Sequence, residues 1–278
     1  MRLVHSFVWV LTLVVTALPV TSARASDSTK EHAVVNAPPR GITILSPPVL
    51  TIDFSDVIPL HNIGIAADGA HYYTCNGGNA GSGQLNTYDL AGNLLHSVPC
   101  FLDMRAIFYN ASDGFLYAKT FEQDLYRVDP VTGGTALIHS AIFAYSQSSP
   151  ALTPDGHTLL EHESGTIRFI DFATGALLDT RTGFAFGAYP SSEAVGTNGT
   201  WIFTWDGNLV SVYDLAGNLI ESYVLPFGNY GFSLKFVHGL LFASIDGQGS
   251  TGHWYGYNVG AATPAIASSW GRMKALYR

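Results

Sequence analysis

Charged residues are scarce in this sequence, since Lys, Arg, Asp and Glu together make up only 12% of its 278 residues. A helical protein needs charged side chains along its exposed helix faces, so this shortage argues against a mainly helical fold. Apolar residues make up 47% of the chain, and 29 glycines are available for turns. The composition therefore favours short strands joined by Gly-rich turns.

Positive charge is especially scarce. The chain has 13 Lys and Arg residues against 21 Asp and Glu residues, which gives a net charge of −8. Binding to nucleic acid or to anionic lipid requires a basic surface, so neither is an expected partner. The expected partner is a protein or a small molecule whose identity the sequence does not specify.

Only one apolar run is long enough to suggest a targeting segment. The run Phe7–Val20 follows Arg2 and precedes Ala23-Arg24-Ala25, a small-x-small cleavage pattern. It is short for a membrane span, which needs about 20 residues. We therefore predict a signal peptide over residues 1–25, export to the periplasm or the extracellular space, and no membrane insertion after cleavage. The alternative is an uncleaved anchor.

The rest of the chain repeats with a period near 42 residues. One turn marker recurs in steps of 45, 42, 43 and 40 residues: Asp68-Gly69, Asp113-Gly114, Asp155-Gly156, Asn198-Gly199 and His238-Gly239. A second marker recurs in steps of 41, 42, 42 and 43 residues: Gly92, Gly133, Gly175, Gly217 and Gly260. Two turn markers that share one period indicate the blades of a β-propeller.

Each repeat contains four alternating segments, which we name strands A to D in chain order. In the fourth repeat we expect them near residues 192–196, 200–205, 209–213 and 219–224. The predicted fold is all-β, a β-propeller of five blades with four antiparallel strands each, and six blades are the alternative. The predicted organisation is a linker at 26–48, the propeller at 49–269 and a basic C-terminal tail at 270–278.

Two segments compete to close the predicted ring. Val49–Phe54 has the pattern of a D strand that precedes the first blade, and Pro264–Ser269 could occupy the same place in the last blade. A propeller often closes when one terminus supplies a strand to the last blade, but the sequence leaves the choice open.

The turn that follows strand C carries a recognisable motif. Tyr88-Asp89-Leu90-Ala91-Gly92-Asn93 recurs almost unchanged as Tyr213-Asp214-Leu215-Ala216-Gly217-Asn218. With the repeat period, this motif resembles exported bacterial propellers of the YVTN, NHL and quinoprotein-like group, over most of residues 49–269. The resemblance implies an architecture and no site residue. Propellers include lactonases, lyases, hydrolases and scaffolds, so the fold does not choose a function.

The loops that join strand D of one blade to strand A of the next, here called the D–A loops, carry the candidate ligand-binding residues. Three of these loops have a tyrosine in register, namely Tyr145, Tyr189 and Tyr230. The corresponding loops of blades 1 and 2 carry the polar residues His61, Asp103 and Arg105. Ringed aromatics could stack on a flat ligand at the channel mouth. The alternative is that the tyrosines plug the channel and pack one blade against the next.

Acidic residues in the B–C loops are the other candidates for chemistry. Carboxylates from several blades could bind Ca²⁺, but a solvated acidic rim is the favoured explanation. The densest group is Glu161-His162-Glu163, but strand alternation puts His162 on the opposite face, so the trio is a poor chelate. No histidine has zinc-ligand spacing, and we predict no resident cofactor.

Cys75 and Cys100 are the only cysteines. They are expected at the end of strand B and in the following D–A loop of blade 1. In an oxidising compartment they could form a disulfide, and two buried free thiols are the alternative.

No catalytic motif is present, so the sequence favours a ligand- or protein-binding scaffold over an enzyme. The alternative is a lactonase, lyase or glycan-active hydrolase with its site at the D–A loop face. His61, Asp103, Arg105 and Glu193 are then the candidate polar residues.

Overall fold

A computed structural model describes residues 48–57, 61–78, 80–188, 193–207, 209–226, 233–245 and 252–260. These residues form twenty strands and one short 3₁₀ helix, Ala80–Ser82. None of them belongs to a helix that is long and apolar enough to cross a membrane.

The strands form five sheets of four antiparallel strands each. Blade 1 contains β2 (His61–Ala67), β3 (His71–Gly77), β4 (Gln84–Asp89) and β5 (Leu94–Pro99). Blade 2 contains β6 (Met104–Asn110), β7 (Phe115–Thr120), β8 (Leu125–Val128) and β9 (Thr135–His139). Blade 3 contains β10 (Ala151–Leu152), β11 (Thr158–Glu163), β12 (Thr166–Asp171) and β13 (Leu177–Thr182). Blade 4 contains β14 (Val195–Thr197), β15 (Trp201–Trp205), β16 (Leu209–Asp214) and β17 (Leu219–Val224). Blade 5 contains β18 (Leu234–Val237), β19 (Leu240–Ile245), β20 (Gly252–Asn258) and, from the other end of the chain, β1 (Val49–Asp56).

The predicted five-bladed propeller is confirmed, and the alternative of six blades is wrong. Strands A are innermost and line the channel, whereas the D strands β5, β9 and β13 are mostly exposed along their length. The apolar core lies between neighbouring blades, where the A, B and C strands pack face to face.

The repeated C–D turn is built by its aspartate and its glycine. Asp89 Oδ1 accepts hydrogen bonds from the backbone amides of Ala91 and Asn93, both at 2.9 Å. Gly92 has a φ of 84°, a left-handed conformation that glycine adopts without a steric penalty. These aspartates therefore form turns, as the sequence predicted.

The tyrosine before that aspartate joins one blade to the blade before it. Tyr88 contacts the ring of Phe54 at a centroid distance of 4.9 Å, and Tyr213 contacts Phe184 at the same distance. Tyr213 Oη also accepts a hydrogen bond from the backbone amide of Ala185 at 2.7 Å. The motif thus supplies both an apolar wedge and a polar contact between blades.

The N-terminal strand closes the ring. β1 pairs antiparallel with β20, from Val49 opposite Asn258 to Asp56 opposite Gly252. The prediction that Val49–Phe54 is a D strand is therefore confirmed. The competing segment, Pro264–Ser269, lies outside the described residues.

A buried carboxylate locks this closure. Asp56 is fully buried at the end of β1, and its oxygens accept hydrogen bonds from Thr74 at 2.9 Å, Asn86 at 3.1 Å, Tyr88 at 2.6 Å and Trp254 at 2.7 Å. The first three donors belong to blade 1 and Trp254 belongs to blade 5. Burial raises the pKa of Asp56, and the four donors partly offset that effect.

We expect Asp56→Ala to lower the free energy of unfolding by about 3 kcal/mol, because it leaves four buried donors without their acceptor. Chemical denaturation measures this change. Asp53→Ala is the matched control, since Asp53 lies exposed on the same strand and its side chain pairs with His253. The control should cost less than about 0.5 kcal/mol, and equal losses in the two variants would contradict the proposed lock.

The two cysteines lie in the core between blades 1 and 2 as buried free thiols, not as the predicted disulfide. Both belong to one apolar cluster, and the pKa of the Cys75 thiol is raised by burial and by the neighbouring Cys100. Burial raises the pKa of the Cys100 thiol to about 12, which makes it a poor nucleophile.

We therefore expect thiol titration of the unfolded, unreduced protein to find two free thiols. A count of zero would show that the loop after β5 moves to form the bridge that the sequence predicted.

Candidate functional site at the D–A end of the channel

The channel has two distinct ends because all five inner strands run in the same direction. β2, β6, β10, β14 and β18 each begin at a D–A loop and end at an A–B turn. The beginnings of the inner strands therefore define the D–A end of the channel.

This end carries unsatisfied polar atoms from every blade. In each blade, one polar side chain lies within two residues of the start of the inner strand. That side chain has a buried atom with no hydrogen-bond partner among the described residues. These atoms are Asn62 Oδ1, Arg105 Nε, Ser149 Oγ, Glu193 Oε2 and Ser233 Oγ. Buried polar groups are almost always paired with protein, water or ligand, so these five unpaired atoms make the D–A end the candidate site.

Asp103 and Arg105 form a rigid pair at this end. Asp103 accepts hydrogen bonds from the Gly78 amide at 2.8 Å and from Arg105 Nη2 at 2.9 Å. The Arg105 guanidinium also lies over the Phe121 ring, 5.0 Å from its centroid. Arg105 is 7% exposed, so it is a preorganised buried cation, and its Nε has no hydrogen-bond partner among the described residues.

Lys119 is a second buried cation, and it organises the D–A loop between blades 2 and 3. Its Nζ donates to the carbonyl oxygens of Tyr145, Ser146 and Ser148, at 2.7, 2.5 and 3.1 Å. Three acceptors match the three N–H groups of an ammonium. Burial nevertheless lowers the pKa of Lys119 to about 7, and the charge of Arg105 acts in the same direction.

Glu161 holds the same loop from blade 3. Its carboxylate accepts hydrogen bonds from the Ala144 and Tyr145 amides, both at 3.0 Å, and from Arg168 at 2.6 Å. Glu161 is completely buried, so the expectation of a solvated acidic rim is wrong at this residue. The loop is thus fixed from both sides, its carbonyls by Lys119 and its amides by Glu161.

His162 points to the opposite side of β11, as strand alternation predicted. Its Nδ1 lies 3.0 Å from the Ala194 carbonyl oxygen, and its Nε2 accepts a hydrogen bond from the Gly165 amide at 3.2 Å. The ring is therefore neutral, with its proton on Nδ1. Burial lowers the pKa of His162 to about 4.

Glu193 and Glu163 form an acidic pair beside these cations. Burial raises the pKa of Glu193 to about 7, the charge of Glu163 raises it further, and Lys119 and Arg105 oppose the shift. Burial also raises the pKa of Glu163, which is hydrogen bonded to the Tyr145 side chain. Glu193 is therefore a carboxyl group that exchanges its proton near neutral pH.

The structure brings some of the predicted site residues together. Asp103 and Arg105 are in direct contact, and half-buried Tyr145 joins the cluster through Glu163. His61 is the first residue of β2, in blade 1. Tyr189 and Tyr230 lie outside the described residues, so the predicted tyrosine ring stays a prediction.

Lys119 and Gln147 were not predicted as site residues. Lys119 could have been noticed as a lysine inside the apolar strand segment Phe115–Thr120. Gln147 adds a further buried unpaired atom, Oε1, within the loop that Lys119 holds. Over the described part of the chain, no group of three or more His, Cys, Asp or Glu side chains is placed to hold a metal ion.

Comparisons with known proteins extend to the fold alone. No family model and no curated protein matches the sequence. Among solved structures, the chain is similar to the crystal structure of a glutaminyl cyclase from Myxococcus xanthus, with a TM-score of 0.55 and 11% sequence identity. The match covers 76% of this chain and 97% of that chain. At this identity the likeness supports the five-bladed architecture and assigns no activity.

The buried neutral histidine predicts a loss of stability in mild acid. The pKa of His162 is lower in the folded state than its ordinary value of 6.5, so the unfolded state binds the extra proton between pH 6.5 and pH 4. The contribution of His162 to the free energy of unfolding should therefore fall by up to about 3 kcal/mol as the pH drops through this window. Glu193, whose pKa is raised to about 7, contributes in the opposite direction, so the effect of His162 is read from the difference between the wild type and a His162 variant.

Denaturation curves collected from pH 7 to pH 4 measure this slope. His162→Gln should have a shallower slope than the wild type, even if its stability at pH 7 is lower. His157→Gln is the control, because His157 is exposed and its replacement should leave the slope unchanged. An identical slope in His162→Gln would contradict the assignment.

Proposed function

We propose that the D–A end of the channel binds a small, uncharged polar molecule, rich in hydroxyl or amide groups, such as a sugar. The observation that carries this proposal is the set of unpaired buried atoms at the starts of the five inner strands. The set includes a donor on Arg105 and acceptors on Asn62 and Glu193. A hydroxyl group can satisfy either kind, since it both donates and accepts.

The charges around these atoms favour an uncharged ligand. Arg105 is cationic and Lys119 is partly protonated near neutral pH, whereas Glu163 and Glu193 are carboxyl groups. An ion of either sign would therefore lie beside groups of both signs. Tyr145 supplies an aromatic ring beside the carboxylates, as sugar sites often do. The predicted signal peptide at residues 1–25 supports a role in the periplasm or outside the cell.

The rigidity of the site also supports ligand binding. The Asp103–Arg105 pair and the loop held by Lys119 and Glu161 are fixed by hydrogen bonds that need no ligand. A preorganised site loses little conformational entropy when a ligand binds.

A thermal-shift screen against monosaccharides, disaccharides and lactones tests this proposal, because a ligand that binds only the folded state raises the melting temperature. At least one of these compounds should stabilise the wild type. Glu193→Gln should weaken its binding about tenfold, since the amide places a donor beside the ligand where an acceptor was needed.

The control variant is Glu122→Gln, which removes an exposed carboxylate from the loop between β7 and β8 of blade 2. Because Glu122 is not one of the unpaired buried residues, this change should leave affinity unchanged. Arg105→Met is a second test of the same site from another blade. The proposal fails if none of these compounds stabilises the wild type, or if the Glu193 and Glu122 variants bind equally well.

A second candidate function is catalysis at the same site. The pKa of Glu193, raised to about 7, suits a group that both accepts and returns a proton at neutral pH. The similar glutaminyl cyclase is an enzyme on this fold, which makes a glutaminyl peptide a reasonable substrate to assay beside lactones and glycosides. Turnover with a break in the rate profile near pH 7, abolished in Glu193→Gln, would favour the enzyme over the binding protein.

A further inference from the structure

The opposite end of the channel contains a separate apolar chamber. This cavity of about 570 Å³ is lined by the second halves of all five inner strands and by their A–B turns. Its walls include Ile65, Ile107, Leu152 and Phe236. The volume falls within the range of sites that hold small organic ligands.

Lys235 separates the chamber from the polar end of the channel. The Lys235 side chain lines the chamber, and its Nζ donates to the carbonyl oxygens of Ser149, Pro150 and Val195, at 2.5, 2.7 and 3.2 Å. Because three acceptors occupy the amino group, its charge is not offered to a molecule in the chamber. The lining residues include no Asp, Glu or Arg.

Tyr109 and the exposed His238 also line the chamber. Among the buried polar side-chain atoms of the lining, only one lacks a hydrogen-bond partner among the described residues. The hydroxyl groups of Thr153 and Thr197 are hydrogen bonded within their own turns. Asn198 is only 4% exposed, and its Oδ1 accepts the amides of Thr200 at 3.0 Å and Trp201 at 2.7 Å. These two donors fix the orientation of the side-chain amide, which leaves Nδ2 buried without a partner among the described residues.

A comparison between blades explains why this donor is unpaired. In blades 1 and 2 the equivalent residue is an aspartate, and its second oxygen accepts a hydrogen bond from a strand-B tyrosine: Asp68 from Tyr73 at 2.6 Å, and Asp113 from Tyr117 at 2.7 Å. Blade 4 has Phe203 at the position of that tyrosine. The Asp–Tyr pair is thus replaced by Asn198 and Phe203, which leaves one unpaired amide NH₂ group in an apolar wall.

We propose that this chamber is a second ligand site, which binds an uncharged, mainly apolar small molecule whose carbonyl-type oxygen accepts the Asn198 Nδ2 hydrogen bond. Charged molecules are disfavoured because the desolvation of their charge in an apolar chamber is costly, the lining has no Asp, Glu or Arg, and the Lys235 amino group is already occupied by three carbonyls. The exposed His238 is the remaining ionisable residue of the lining. The apolar body is bound by burial against the inner strands. The site is independent of the polar end of the channel, and neither proposal depends on the other.

Ligand-observed NMR with methyl heptyl ketone as the probe tests this proposal. The ketone should bind the wild type, its isosteric alkene, with a methylene in place of the oxygen, should bind about tenfold more weakly, and nonanoate should not bind. Equal affinities for ketone and alkene, or no binding of the ketone, would overturn the proposal.

Two variants locate the site. Asn198→Asp keeps the oxygen that caps the turn, as in blades 1 to 3, but removes the donor, so ketone affinity should fall about tenfold. Ala67→Phe fills the chamber and should abolish binding, whereas Ala70→Phe, at an exposed position of the same turn, should not. Melting temperatures without ligand show whether each variant is folded. Ketone binding that survives in folded Ala67→Phe would place the ketone elsewhere and reject the chamber as its site.

Discussion

The closure of the ring between blade 5 and blade 1 is the constraint on which the other features depend. Each blade buries its apolar faces only against its neighbours, so an open ring would leave two of these faces in water. The fifth blade is completed by β1, and Asp56 joins that strand to Thr74, Asn86 and Tyr88 of the first blade. Both ends of the channel depend on this closure, because each is assembled from all five inner strands.

Buried lysines perform a related role inside the ring. Lys119 fixes the loop between blades 2 and 3, and Lys235 joins the inner strand of blade 5 to the residues that begin the inner strands of blades 3 and 4. Each amino group donates to three backbone carbonyls where the inner strands converge. The channel therefore has a polar end and an apolar end with a polar layer between them, so one fold can present two different chemical environments.

The sequence predicted the architecture well because turn chemistry is local. Glycines with positive φ and aspartates that accept nearby amides recur with the period of the blades, so Gly92 and Asp89 identify the blade before any long-range contact is known. The site was predicted only in part, since its members meet through the curvature of the ring. Asp103 and Arg105 are close in sequence and were recognised, whereas Lys119 acts on carbonyls 26 to 29 residues away. For the cysteines the sequence left a bridge and two buried thiols open, and the structure has them as free thiols in one buried cluster.

The pairing of β1 with β20 also has a consequence for the order of folding. Val49 is among the first residues of the propeller to be synthesised, and its partner Asn258 is among the last. The first strand therefore stays unpaired until almost the whole domain has been synthesised. Such a long-range pairing slows folding, and an unpaired edge strand can associate with other chains in the meantime. A propeller closed in this way therefore requires that β1 does not aggregate before β20 has been synthesised and can pair with it.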